Sequence, residues 1–234
     1  VIILLSADFC SRVRMVRSYG SVTWWCCCVR DSWYYDVVRI SVVNTKGGVG
    51  KTTTSMMLAM AAHRAGHDVE VWDADPQGSA TLWAMTSEDA GEPLPFEVRA
   101  ANVAQLRRVE SSGRTPDADM IIIDTPPGDP AVVQAAIDVA DLVVIPTLAS
   151  GLDIQRVWPT LEASAHRHRA VLLTSAEPRT RAHTAVVDVL AAEGEPLFST
   201  VIPRRQGVRA AFGTAPRELF RYDELLKEIE EVMR

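Results

Sequence analysis

The stretch NTKGGVGKTT, residues 44–53, decides how the rest of the 234-residue chain is read. A β-rich run, RISVVN, precedes it, and a helical run, KTTTSMMLAMAAHRAG, follows and stops at Gly66. A glycine-rich turn between a strand and a helix is the context of a phosphate loop. Gly47, Gly48 and Gly50 let backbone come close to phosphate oxygens, which the loop N–H groups and the helix N-terminus then hold. Lys51 is placed to reach β- and γ-phosphates, and Thr52 to offer its hydroxyl to Mg²⁺. A ligand-free glycine turn is the competing reading; the complete GKT ending argues against it.

The usual pattern, G-x-x-x-x-G-K-[ST], has glycine where this chain has Thr45, and a second lysine, Lys46, follows. The KGGVGKT form resembles the deviant Walker A motif of the ParA/MinD ATPase superfamily. That resemblance implies an ATP site over Lys46, Gly47, Gly48, Val49, Gly50, Lys51, Thr52 and Thr53. It also implies that Lys46 crosses a dimer interface to the phosphates of a second subunit, so that the homodimer depends on ATP. A solvated surface lysine is the plain alternative.

Two further segments resemble the same superfamily. WDADPQGSATLW follows the second β-rich run, and DADMIIIDTPPGDP contains an apolar run ending in Asp124. A carboxylate at the C-terminal end of a strand can hold a metal-bound water or orient an attacking one. The resemblance ties Asp75 to hydrolysis, gives Asp73 a place on the waters of Mg²⁺, and makes Asp124 the Walker B acid near the metal; the plain alternatives are loop acids capping a turn for Asp73 and Asp75 and a mere strand-end acid for Asp124. Gly128 is expected against the γ-phosphate. Asp129 is expected to cap the next helix, with Pro130 at its first position. No [NT]-K-x-D motif follows a strand, which favours ATP over GTP. By resemblance, adenine lies near TVIPRR, with Pro203 as the contact; a strand-terminating proline is equally open.

From Arg39 onward, short apolar runs (VEVWDAD, MIIID, DLVVIPT, AVLLTS, FSTVIP) are separated by helical stretches such as DPAVVQAAIDVA and AHTAVVDVLAAEG. Apolar strands alternating with helices predict a doubly wound α/β fold, a mostly parallel sheet with helices on both faces. Residues 91–95 and 111–116 are expected to be surface loops. All four cysteines lie within the first 28 residues, which excludes a disulfide framework or cysteine-held cluster from the rest. Residues 1–37 are rich in tryptophan, cysteine and tyrosine without periodicity. They are expected to be a poorly ordered extension or a misassigned start, leaving 38–234 as one ATPase domain.

Within the superfamily, the missing cysteines exclude iron–sulfur members. Only Tyr222 lies in the C-terminal part, unlike the tyrosine-rich tail of related kinases. The final stretch, YDELLKEIEEVMR, has Leu225, Leu226, Ile229, Val232 and Met233 on one face and acids on the other. Anionic lipid would repel it, so it is expected to pack on the core rather than on a membrane. The remaining resemblance is to small ParA-type partition ATPases without an N-terminal helix-turn-helix. It implies a cytoplasmic, nucleoid-associated protein that binds DNA without sequence preference when dimerised by ATP. A ParB-type centromere-binding partner would stimulate slow hydrolysis. Arg179, Arg181, Arg204, Arg205 and Arg209 are the candidate DNA contacts, with Arg217 and Arg221 nearby; pairing with acids of the tail is the alternative. A metabolic or MinD-like ATPase is the alternative function.

Overall fold

The computed structural model describes residues 37–112 and 118–233. Residues 1–36, on which the expectation of an extension or misassigned start falls, lie outside them. Along the chain run β1 (Val38–Val42), α1 (Lys51–Ala65), β2 (Val69–Asp73), α2 (Ser79–Asp89), β3 (Glu97–Ala100), α3 (Val103–Ser112), β4 (Met120–Asp124) and α4 (Pro130–Val139). Then follow β5 (Leu142–Leu148), α5 (Gly151–Ile154), α6 (Trp158–Ala163), β6 (His168–Thr174), α7 (Arg181–Ala192), α8 (Gln206–Ala210) and α9 (Tyr222–Val232). Among the described residues, six strands form one sheet in the order β3-β2-β4-β1-β5-β6. Every pairing is parallel.

Strand side chains alternate between the two faces, and both faces are apolar. Ile40, Val42, Val71, Ile122 and Val144 meet α1, α2 and α9 on one side. On the other, Val143, Ile145, Val171 and Leu173 pack with residues of α4 to α7, and Ile121 and Ile123 pack with Leu106 of α3 and with α4. Burial on both faces explains why these strands read as continuous apolar runs. The one buried hydroxyl in β1, Ser41, is satisfied by donating to the Ala136 carbonyl (2.7 Å).

Helix α1 is buried almost all round, from Thr54 to Ala62. It lies between the sheet and α9, and the Tyr222 hydroxyl at the start of α9 meets Thr54 Oγ1 at 3.1 Å. Gly66 ends α1 in the left-handed conformation, its N–H returning to carbonyls of the last turn, as a glycine stop should. Asp129 caps α4 by accepting from Ala131 and Val132 N–H, with Pro130 next.

Three expectations need correction, and one strand, β3, was not foreseen. FSTVIP is not a strand. Phe198 and Ile202 bond to the edge of β6, but between them the Glu228 carboxylate takes the N–H groups of Ser199 and Thr200, which interrupts the ladder. Strand β3 has no apolar run to announce it, because its four residues are mostly exposed; Arg99 holds this edge by stacking 4.5 Å over Trp72 and pairing with Glu70 at 2.9 Å. Ser111 and Ser112 belong to α3 rather than to a loop. Val232 is exposed; with about 3.6 residues per turn it falls at the margin of the stripe made by Tyr222, Leu225, Leu226 and Ile229.

Candidate functional site

Because all strands are parallel, their C-terminal ends share one edge of the sheet. Beyond β1 the chain has gone one way for β2 to β4 and the other way for β5 and β6, so the loop after β1 opens at the switch of strand order, where such sheets bind ligands. Register places Asp124 opposite both Val42 and Asp73. The predicted loop and both predicted strand-end acids therefore arrive together.

The loop is braced by polar residues at neighbouring strand ends. Asn44 donates to the Pro146 carbonyl (2.8 Å) and accepts from Lys46 N–H (2.8 Å). Thr174 donates to the Val49 carbonyl (2.8 Å), and Thr125 to the Val42 carbonyl (2.7 Å). Gly48 and Gly50 have φ of 74° and 89°, a region that costs a residue with a Cβ about 1–2 kcal/mol. Gly47 lies against the Pro127 ring, and Gly128 has φ of 85°.

Lys51 is nearly buried, and its ammonium donates to the Lys46 carbonyl at 3.0 Å. Burial lowers its pKa, opposed by the negative charges of Asp124 and Asp75. Asp124 is fully buried and accepts from Thr52 Oγ1 (2.7 Å) and Ser55 Oγ (3.1 Å). Burial pushes its pKa up to about 7, and nearby Asp73 adds to the rise while the Thr52 bond opposes it. Such a carboxyl lacks sufficient positive charge nearby. A hard cation beside Thr52 and Asp124 would supply it, and two protein oxygens plus phosphate oxygens are a magnesium donor set. The residues present fit Mg²⁺ with a nucleotide triphosphate.

Asp75 is half-buried and builds its own turn, accepting Gln77 N–H at 2.9 Å. Asp73 faces inward. One carboxylate oxygen accepts Asp75 N–H, and the other takes both N–H and hydroxyl of Thr81 at 2.8 Å, satisfying the first turn of α2. Its observed work is thus to hold the Asp75 turn and α2. Lys46 does not project freely: its ammonium pairs with Asp153 of α5. Val49 and Thr53 complete the loop, Val49 buried and Thr53 partly so.

The remaining candidates lie elsewhere. Pro203 bridges to Ala176 beyond β6. It lines a cavity of about 490 Å³ with Arg64, Arg205, Arg217, Phe220 and Arg221. All five candidate DNA arginines are exposed. Arg204 is paired with Glu177 (3.0 Å), an acid distant from it in sequence, and Arg221 with Glu224 (2.7 Å), three positions further along the chain, so acids neutralise part of the patch. Arg179, Arg181, Arg205 and Arg209 have no ion-pair partner among the described residues. Sequence reasoning missed Asn44, Thr125 and Thr174, although a polar residue directly after an apolar strand run was a usable signal. It also missed Asp153, which lies 107 positions from Lys46.

The model of the CbiA family, the CobQ/CobB/MinD/ParA nucleotide binding domain, matches residues 40–215. This chain belongs to that family. It is a P-loop ATPase of the ParA/MinD type. It is 38% identical over 169 residues to maintenance of carboxysome distribution protein A of Gloeobacter kilaueensis, covering 70% of this chain and 75% of that protein. It is 32% identical over 204 residues to the chromosome-partitioning ATPase Soj of Thermus thermophilus, covering 72% and 82%. The septum site-determining protein MinD of Pyrococcus horikoshii, complexed with Mg-ADP, has the same fold, with a TM-score of 0.63 at 18% identity over 85% of this chain and 98% of that one. Among the described residues no helix is long and apolar enough to cross a membrane.

Proposed function

We propose that this chain is a partition ATPase that dimerises on ATP, binds DNA without reading its sequence, and is released by hydrolysis. The observation that carries the reading is the pair of lysines on one phosphate loop, Lys51 buried against Asp124 and Lys46 at the mouth. Gly47 to Thr53 hold the phosphates of ATP through backbone N–H groups and the start of α1. Lys51 transfers its hydrogen bond from the Lys46 carbonyl to phosphate. Thr52 and Asp124 are the residues that would hold Mg²⁺, which supplies positive charge to the phosphate oxygens when bound. Asp73 keeps Asp75 and α2 in place and would support Mg²⁺ through its waters. Asp75 orients the attacking water, Gly128 lets backbone approach the γ-phosphate, and Pro203 contacts adenine. Lys46 reaches the nucleotide of a second copy, so the homodimer forms only with ATP.

The dimer then holds DNA phosphates through Arg179, Arg181, Arg205 and Arg209, with Arg204 once it leaves Glu177. This places the protein on the nucleoid, in the cytoplasm. A ParB-type partner stimulates turnover. Likeness to a carboxysome distribution protein favours a second reading of the cargo, in which the same ATP–DNA cycle positions a protein body and the partner marks that body. Pelleting with unrelated DNA fragments, with ATP, ADP or no nucleotide, tests the common core. ATP-specific pelleting supports it. ATP turnover with no DNA association at any nucleotide state sinks it in favour of a metabolic ATPase.

A further inference from the structure

Lys46 is tied down at two points. Its ammonium is held by Asp153, whose side chain is only 5% exposed, while that of Lys46 is 38% exposed. Its carbonyl is the acceptor for Lys51. The other Asp153 carboxylate oxygen takes the hydroxyl of Ser150, and Asp153 N–H returns to that hydroxyl at 3.3 Å. The adjoining Leu152 is 78% exposed, so this turn of α5 stands at the surface although the Asp153 carboxylate does not.

We infer that Asp153 is a positioning residue that acts through Lys46, a latch holding in the monomer the lysine that the dimer requires. The inference rests on the proposed action of Lys46 in trans. An ammonium leaving Asp153 strands a buried carboxylate with one strong donor, the Ser150 hydroxyl, which is costly. Departure is favourable only when a more strongly charged acceptor, the triphosphate of a second copy, stands within reach. Nucleotide in the chain's own loop prepares the exchange, because Lys51 then turns from the Lys46 carbonyl to phosphate. One tie is released from inside by bound nucleotide, and the other from outside by the partner's. Asp153 thereby sets the protein concentration at which ATP drives self-association, and it suppresses dimers when either site lacks triphosphate.

Sedimentation of the full chain with a slowly hydrolysed ATP analogue, and with ADP, tests this on Asp153→Asn, Ser150→Ala, Lys46→Ala and the double variant Lys46→Ala/Asp153→Asn. Circular dichroism melts check folding. Asp153→Asn is expected to dimerise at a midpoint concentration at least about tenfold lower, the scale of one charged hydrogen bond. Ser150→Ala should move the midpoint the opposite way, by roughly threefold, because the carboxylate then depends more on Lys46. In the Lys46→Ala background, Asp153→Asn should gain nothing; a merely structural role for Asp153 would shift both backgrounds alike. If Lys46→Ala stays monomeric while folded Asp153→Asn keeps the wild-type midpoint, the latch fails and the trans reading stands. If Lys46→Ala dimerises normally, the trans reading fails and takes the latch with it. Should Asp153→Asn not fold, Ser150→Ala alone decides: a lowered or unchanged midpoint overturns the latch.

Discussion

The phosphate loop and the arginine-bearing segment around residues 201–221 are both rich in charge, but different things hold the charges in place. At the loop, Lys51 and Asp124 are withdrawn from water, and each is fixed by backbone or hydroxyl partners. In the second region Arg204, Arg205, Arg209 and Arg217 lie in solvent, and acids from other segments reach some of them. A charge removed from water interacts strongly with whatever it meets, whereas an exposed one is screened within about 10 Å at ordinary salt. The loop is therefore built for steep, geometry-dependent effects, and the arginine region for shallow, additive and salt-sensitive ones.

The largest expected effect tests the loop side of that contrast. Lys46→Ala should leave monomer affinity for ATP unchanged, because Lys51 and the loop N–H groups remain. It should weaken the dimer by roughly 3–6 kcal/mol, the scale of two charge-assisted hydrogen bonds. Light scattering with ATP beside a nucleotide titration reads both, and normal dimerisation would remove the distinction drawn for this lysine.

Next comes Asp75→Ala, expected to slow turnover by on the order of 10²–10⁴-fold with ATP binding retained, since a group that orients water acts mainly in the transition state. Phosphate release under single turnover and equilibrium binding of an ATP analogue separate the two. Loss of ATP binding would assign Asp75 to the turn it builds rather than to chemistry.

Asp124 sharpens the contrast through pH. In the folded nucleotide-free chain its carboxyl keeps a proton up to about pH 7, pushed there chiefly by burial, whereas unfolded aspartate releases it near 4. Between those values unfolding releases a proton, so this group's contribution to stability falls as pH rises and levels off above about 7. The whole span amounts to about 4 kcal/mol. Urea melts of wild type and Asp124→Asn from pH 4.5 to 7.5 should converge in acid and separate towards neutrality, the variant becoming the more stable. Parallel curves would contradict the assigned proton.

The smallest effect belongs to the arginines. Arg205→Ala with Arg209→Ala should weaken DNA binding of the ATP dimer about tenfold. The slope of log affinity against log salt should fall by roughly one for each phosphate left without its arginine. Fluorescence anisotropy at several salt concentrations measures both. A weakening confined to one DNA sequence, or an unchanged slope, would mean that the region is not an electrostatic DNA surface.

What the sequence by itself determined is whatever depends on neighbours along the chain. Strand, glycine turn and helix around residues 44–53, the Gly66 stop, the Asp129 cap and the apolar run into Asp124 are all local, because a left-handed turn, a cap or a doubly buried strand needs particular residues at short spacing. Tertiary structure alone decided which distant groups those local pieces meet. It brought Asp153 to Lys46 and Thr174 to the loop, interrupted FSTVIP with the Glu228 carboxylate, and set Glu177 against Arg204. Each of these is a polar interaction between separate segments, and a hydrogen-bonding side chain carries no mark in sequence of the partner that the fold will bring to it.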